Sequence, residues 1–340
     1  MRNRKYKVLE LFAGAGGLAL GLHDAGFEAV GLVELDKHAS NTLKMNKPDW
    51  PVFNIDIIDF NKNLSNYISD HETVDVVSGG FPCQPFSYAG IGLGLNDTRG
   101  TLFFEFADIV KKLNPKVFLA ENVKGLTTHD NGRTLKTILG VFDEIGYNVN
   151  YRILNANNYD VAQKRERLVI VGIRKDLPNT YEYPLPSKHK LVLRDVLQSV
   201  PLSEGAKYPE SKRKILELVP PGGCWRDLPD DLAREYMAGS YHLGGGKTGM
   251  ARRISWDEPC LTLTCSPAQK QTERCHPDET RPFTIREYAR IQTFPDSWTF
   301  QGGLSNQYKQ IGNAVPVQLA KKIGLSIKQY LDHQILMENN

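Results

Sequence analysis

The sequence predicts an α/β protein: a doubly wound, mostly parallel sheet with a smaller domain inserted late in the chain. Three observations predict it. Apolar runs of strand length alternate with amphipathic stretches of helix length through the first half. A glycine cluster directly follows the first apolar run. The alternation then breaks near Leu177 and resumes after about Pro282.

The elements follow in order. Tyr6 to Phe12 reads as a buried strand, Leu18 to Ala25 as a helix, Ala29 to Leu35 as a strand and Lys37 to Asn46 as a helix. Val52 to Ile55 and Val74 to Ser78 are short strands. Thr101 to Leu113 is helical, Val117 to Glu121 extended, Thr134 to Ile145 helical, and Leu168 to Ile173 a late strand. The region that breaks the pattern contains PLPSKHK, PPGGCW and HLGGGKTG, rich in Pro and Gly. A helix then starts near Thr284 and another runs from about Pro316 to Gln334. The expected division is 1–177 with 283–340 for the main domain, and 178–282 for the insertion.

Composition excludes several classes. At 340 residues, 41% hydrophobic and 24% charged, the chain can bury a large core, so wholesale disorder is excluded. The net charge of +3 is too small to argue for nucleic acid by itself. Between Lys175 and Thr280, fifteen Lys and Arg balance fifteen Asp and Glu, so any nucleic-acid face there must come from local arrangement. Five cysteines without a framework spacing fit a reducing compartment. The N-terminal stretch reads as a strand meeting glycines, not as a signal peptide, and no apolar run reaches bilayer length. A cytoplasmic protein that does not engage a membrane is expected.

Phe12-Ala-Gly-Ala-Gly-Gly17 lies between a strand and a helix, where glycines permit tight turns and close approach of a ligand to a helix N-terminus. Glu34 ends the next strand and can accept from both ribose hydroxyls of a nucleoside; Asp56 follows the third strand and can accept from an adenine amino group. The loop alone fits dinucleotide and adenosyl cofactors, and a plain structural turn. Phe12, and Ala19 in place of a third glycine, lean against a dinucleotide.

Gly79-Gly-Phe-Pro-Cys-Gln-Pro-Phe-Ser87 follows another strand, and the glycine-rich Tyr88 to Gly100 after it reads as a lid. A lone cysteine is usually a buried small hydrophobe; Cys83 stands instead at a strand end, where α/β sheets place their chemistry. Ala120-Glu-Asn-Val-Lys-Gly125 puts a carboxylate just past a strand, a proton donor whose pKa matters. Gln163-Lys-Arg-Glu-Arg167 sets two arginines before a strand, either a solvated face or a clamp on phosphate or a base carbonyl.

In these blocks the chain resembles the bacterial DNA cytosine-5 methyltransferase family. FAGAGG, Glu34, FPCQPFS, ENV, QKRER, Arg286-x-x-x-Arg290-x-Gln292-x-Phe294-Pro295 and Gln310-Ile-Gly-Asn-Ala-Val-Pro316 look like its sequence blocks, in its order, and span all but the insertion. The resemblance implies the S-adenosylmethionine-dependent methyltransferase fold with a target-recognition domain at 178–282. It implies Cys83 as the nucleophile adding to cytosine carbon 6, Glu121 at ring nitrogen 3, Asn122 holding the loop, Arg167 at the cytosine carbonyl and Arg165 at the same site or a flanking phosphate. Cofactor contacts are implied for Phe12, Gly14, Gly16, Gly17, Glu34, Leu35, Asp56, Ile57, Pro82, Leu102, Asn313 and Val315. Leu35 departs from a pattern in which an aromatic residue often stacks on adenine. The product would be S-adenosylhomocysteine, and no metal is needed.

For DNA, the resemblance implies Gln84 and Ser87 at the strand opening and Thr262, of the Thr262-Leu263 pair, at the flipped nucleotide's backbone. Lys247, Arg252, Arg253, Gln269 and Lys270 are candidate reading residues, since Arg and Lys can read guanine and Gln adenine; phosphate contact or plain surface is the bland alternative for each. The expected partners are double-stranded DNA with a short recognition site and a separately acting restriction endonuclease; the expected state is a monomer. Gly244-Gly-Gly-Lys-Thr lacks phosphate-loop spacing, and Cys260, Cys265, Cys275 and His276 match no common zinc pattern. The rivals are a tRNA cytosine methyltransferase, which should carry a Cys-Phe-Thr segment absent here, a nicotinamide oxidoreductase, which leaves Cys83 and Glu121 unexplained, and a DNA-binding protein without catalysis.

Overall fold

A computed structural model describes residues 5–69, 71–82, 102–242 and 249–338. From the N-terminus the chain forms β1 (Tyr6–Leu11), α1 (Gly17–Asp24), β2 (Phe27–Val33), α2 (Lys37–Asn46), β3 (Val52–Phe53), α3 (Ile57–Lys62), α4 (Leu64–Tyr67) and β4 (Val76–Gly79). It continues through α5 (Leu102–Leu113), β5 (Val117–Val123), α6 (Arg133–Glu144), β6 (Tyr147–Asn155), β7 (Gln163–Lys164) and β8 (Glu166–Arg174). Every strand and helix expected up to Ile173 is present, with ends shifted by a few residues. Strands β6 and β7 and helices α3 and α4 were not expected. β6, YNVNYRILN, is the edge strand and is exposed in its middle, so it carries no apolar run.

Seven strands form one sheet in the order β3-β2-β1-β4-β5-β8-β6. β3, β2, β1, β4 and β5 pair in parallel, while β8 runs antiparallel between β5 and β6. The order reverses at β1, which has β2 on one side and β4 on the other, so the crevice beyond the carboxyl ends of β1 and β4 is where such a sheet binds ligands. Leu11 pairs with Val33 and with Gly79, so β1, β2 and β4 end level, and Gly79 pairs with Ala120, beyond which β5 runs on to Val123. A Cβ on Gly79 would come within 2.4 Å of the Leu11 carbonyl oxygen, so only glycine fits there.

Helix α5 buries Phe103, Phe104, Phe106, Ile109 and Val110 on one face, and Phe142 of α6 stacks on Phe118 of β5 at 4.1 Å. Each such buried side chain contributes roughly 1.5–3 kcal/mol. The last helix, α12 (Val317–Glu338), packs on α1 through small residues: a Cβ on Gly21 would lie 2.3 Å from Ala320 Cβ, and one on Gly324 2.8 Å from Ala25 Cβ.

The chain divides into two compact units. The first is Met1–Asn155, Glu166–Pro186 and Val317–Asn340; the second is Ala156–Arg165 and Ser187–Pro316. The second contains β7 paired in parallel with β9 (Cys260–Leu261), and the helices α7 (Leu193–Val196), α8 (Glu210–Glu217), α9 (Asp230–Met237), α10 (Ile285–Ile291) and α11 (Leu304–Asn313). α10 begins where the sequence places it, with Thr284 and Glu287 forming a capping box; α11 was not expected. Compactness groups 283–316 with the second unit, whereas the division drawn from sequence groups them with the first. A small core of Tyr208, Leu216, Val219, Leu228, Ala233, Ala251 and Cys275 holds the middle of the second unit. Among the described residues no helix is long and apolar enough to cross a membrane.

The α1–α12 approach gives a stability prediction. Gly21→Val inserts three carbons where none fits, and overpacking of this kind costs about 1–3 kcal/mol. A urea titration should show a lowered midpoint, with the slope unchanged.

Candidate active site

The loop after β1 alternates backbone hands: Phe12 (φ 58°), Gly14 (φ 56°) and Gly16 (φ 87°) are left-handed. A phenylalanine there is strained, which is common where a loop is shaped for a ligand. A Cβ on Gly14 would meet no atom within 4 Å, so the chain leaves open space in front of the loop. The Glu34 carboxylate clamps the loop: Gly14 N–H donates to Oε2 and Asp36 N–H to Oε1, both at 2.7 Å. Asn54 Nδ2 donates to the carbonyls of Glu34 (2.8 Å) and Leu35 (2.9 Å), fixing the turn from behind. Asn54 was not anticipated; its only signal is a polar side chain between β3 and Asp56.

Leu35 is 65% exposed at this rim. Asp56 caps α3 by accepting from Ile58 N–H at 2.8 Å, and Ile57 begins that helix, where a backbone N–H has no helical acceptor. Glycine loop, Glu34, Asp56, Ile57, Pro82 and Leu102 all belong to the first unit. Asn313 and Val315 belong to the second, where Asn313 is exposed and Val315 buried.

Near the carboxyl end of β5, Glu121 forms an ion pair with Arg167 at the start of β8, Arg167 Nε to Glu121 Oε1 at 2.7 Å, with side chains only 15% and 13% exposed. The antiparallel register of β5 and β8 sets Val123 opposite Arg167, which brings the guanidinium to the carboxylate two residues along. Glu121 Oε2 lies 3.1 Å from where a Gly80 Cβ would stand, so the acid sits against the loop leaving β4. Asn122 Nδ2 donates to the Phe81 carbonyl at 2.8 Å, and its Oδ1 accepts from Val123 N–H. Phe81 is buried against Phe103 and Phe106 of α5. The turn that leads into Cys83 is thus pinned from two sides. Cys83, Gln84, Ser87 and Lys247 lie outside the described residues, as does the Tyr88 to Gly100 stretch.

The described cysteines are poor nucleophiles. Burial pushes Cys260 up to about 12 and Cys275 up to about 11, raises Cys265, and leaves Cys224 enclosed. Cys265 is the exposed one, and its thiol donates to Asn313 Oδ1 at 2.9 Å.

Three arginines depart from the expectation. Arg165 is 1% exposed and donates to the carbonyls of Leu263 (3.1 Å), Gly312 (3.0 Å) and Asn313 (3.5 Å). A guanidinium committed to these main-chain acceptors holds the backbone together; it is not turned to a base or phosphate. Arg252 grips Glu258 with two 2.6 Å bonds and the carbonyls of Gly222 and Gly223. Arg253, 4% exposed, donates to the carbonyls of Val219, Leu216 and His276 and to Thr280 Oγ1. Both are buried internal ties and not DNA-facing, because their terminal guanidinium nitrogens are engaged within the folded unit.

Lys270 is half-buried, with Nζ on the Tyr236 carbonyl and 4.6 Å from the Tyr236 ring centroid. Gln269 is exposed, and Thr262 Oγ1 donates to the Lys164 carbonyl at 2.8 Å. Two glutamines of the sequence blocks, given no role from sequence, join these parts. Gln163 Oε1 accepts from Leu263 N–H, Gln163 Nε2 donates to Gln292 Oε1 at 2.9 Å, and Gln292 Nε2 donates to the Ile311 and Ala314 carbonyls.

A glycine loop clamped by an acid at the end of the next strand is the arrangement of an α/β enzyme for an adenosyl or dinucleotide cofactor, and a buried acid–arginine pair stands on the neighbouring strands. Comparison narrows the class: the chain belongs to the C-5 cytosine-specific DNA methylase family, matched over residues 6–329, and its activity is methyl transfer to carbon 5 of cytosine in DNA. It is 59% identical over 335 residues to the Type II methyltransferase M.Sau96I of Staphylococcus aureus, covering 97% of this chain and 77% of that one. It is 58% identical over 340 residues to the Type II methyltransferase M.Eco47II of Escherichia coli, covering 97% and 80%. Among solved structures it resembles a prophage-encoded E. coli protein described as a DNA modification methyltransferase, with TM-score 0.72 and 25% identity over 96% of this chain and all of that one. The likeness to a Spodoptera frugiperda DNMT2 variant, with TM-score 0.66 and 17% identity over 95% of this chain and all of that one, shows the fold alone.

The arginine finding has a measurable consequence. Replacing a phosphate contact lowers the salt slope of DNA binding by about one, whereas replacing an internal tie does not. Arg253→Lys should lower the unfolding midpoint and leave the slope of log affinity against log salt unchanged.

Proposed function

We propose that the protein methylates carbon 5 of a flipped-out cytosine in a specific short double-stranded DNA sequence, through a covalent bond between Cys83 and carbon 6. The observation that carries this reading is the Glu121–Arg167 pair held beside the Phe81–Pro82 turn, with Cys83 next in the chain.

Carbon 5 of cytosine is a weak nucleophile. Addition of the Cys83 thiolate to carbon 6 makes the ring an enamine and carbon 5 reactive. Glu121 faces ring nitrogen 3 and relieves the charge that builds as sulfur adds. Arg167 orients Glu121 and donates to the base carbonyl. Asn122 holds the Phe81 carbonyl against β5. After methylation, loss of the carbon 5 proton and expulsion of Cys83 restore the enzyme. The base must leave the stack first, at a cost of a few kcal/mol.

S-adenosylmethionine, when bound, supplies an electrophilic methyl group. The first unit fits it: open space before Gly14, an acid at Glu34 for ribose hydroxyls, and Asp56 with the Ile57 N–H for an adenine edge. Phe12, Gly16, Gly17, Leu35, Pro82 and Leu102 border the same strand ends in the reading, and Asn313 and Val315 complete the set from the family's last sequence block. Residues 178–282 are read as the target-recognition region, with Thr262, Gln269, Lys270 and Lys247 as its DNA contacts and Gln84 and Ser87 at the strand opening. The names of the relatives, Type II methyltransferases, support a role as the modification half of a restriction–modification system beside a separate endonuclease. A monomer acting in the cytoplasm suits a chain that carries both reader and reaction centre.

The test is expression in a bacterial host lacking cytosine methylation, followed by genome-wide mapping of 5-methylcytosine. Wild type should mark one short motif, Cys83→Ala should mark none, and Glu121→Gln should mark it at least about a hundredfold more slowly in vitro. A blank genome from folded wild-type protein overturns the DNA reading and brings tRNA forward as substrate.

A further inference from the structure

Glu10 lies in the middle of the sheet, two residues before Phe12, and is 2% exposed. It pairs in register with Leu32 of β2 and Ser78 of β4. The Ala19 backbone N–H of α1 and the Ser78 hydroxyl face its carboxyl, yet neither Glu10 Oε2 nor Ser78 Oγ completes a hydrogen bond of good geometry among the described residues. The one charged group acting on it among the described residues is Glu34, another acid. Among the described residues no cation acts on it. An isolated buried carboxylate under these conditions is far costlier than the neutral acid.

The placement matters because Glu34 is the clamp of the glycine loop. A second negative charge behind the loop works against the carboxylate that holds Gly14 and Asp36. We propose that Glu10 is a positioning residue for the cofactor: as a neutral acid it lets the loop close on Glu34, and its ionisation loosens that clamp and weakens cofactor binding. The inference rests on the adenosyl-cofactor reading. Desolvation, with a smaller contribution from Glu34, pushes the Glu10 carboxyl up to about 8, within reach of ordinary assay conditions.

The sign follows from linkage. Below the midpoint Glu10 is neutral and the loop is closed; as pH rises through it, binding must supply a proton, so affinity falls by up to about tenfold per pH unit. The experiment is calorimetric binding of S-adenosylhomocysteine from pH 6.5 to 9.5 to wild type, Glu10→Gln and Glu10→Met. The ligand's own amino group titrates equally for all three, so the ratio of their affinities isolates Glu10. Wild type should lose affinity relative to both neutral variants above about pH 8, by about tenfold at pH 9. Infrared titration should show a protonated-acid carbonyl band that wild type loses over the same range and that Glu10→Gln lacks.

Parallel binding profiles overturn the proposal while leaving the cofactor reading intact, and so does absence of the protonated-acid band at pH 7. No binding by wild type at any pH overturns the cofactor reading and the proposal with it. If neither variant folds, a wild-type profile flat to pH 9.5 still overturns the proposal.

Discussion

The level carboxyl ends of β1, β2 and β4, with β5 running past them to Val123, are the constraint on which the rest depends. Parallel pairing places Leu11 beside Val33 and Gly79, and Gly79 beside Ala120, so every loop leaving these strands opens toward the same edge of the sheet. The Leu11 carbonyl approaches Gly79 so closely that any side chain would separate the strands. The glycine loop, Glu34, the Phe81–Pro82 turn and Glu121 then need no long-range design to meet along one edge. The chemistry is added by short side-chain ties, Glu34 to two N–H groups and Asn122 to one carbonyl, each a modest stabiliser of about 1 kcal/mol that fixes a loop's direction.

The second unit solves a different problem. It has few regular elements, so its backbone groups are satisfied by side chains. Arg165, Arg252 and Arg253 together hold nine main-chain carbonyls, and Gln163 with Gln292 forms a buried amide chain from Leu263 to Ala314. Internal polar networks of this sort give a loop-rich body a single shape where apolar burial alone would leave several. Arg165 and Gln163 stand immediately before β8, which carries Arg167, so one short sequence block supplies internal ties of the second unit and the arginine paired with Glu121.

Much of the first unit was legible because its signals are local. Strand periodicity and the glycine loop fix the elements, and Glu34, Glu121 and Arg167 stand at or near strand ends as the sequence places them. Edge strand β6 escaped because half of it faces solvent and shows no apolar run. Arg252 and Arg253 misled because an arginine pair in a loop looks the same whether its donors meet phosphates or carbonyls; only the fold decides, and here Glu258 and the loop carbonyls sit within reach. Asn54 and the glutamine chain were invisible for the same reason: their partners lie up to 129 residues away.

The seat of α12 on α1 also orders the life of the chain before it is complete. The small-residue face of α1, around Gly21 and Ala25, is covered by Ala320 and Gly324, almost three hundred residues later. At a synthesis rate of about 5–20 residues per second, that face stays bare for roughly 15–60 s while the rest of the chain is made. The nascent protein therefore carries an unfinished first unit, its helix groove open, throughout translation of the entire second unit.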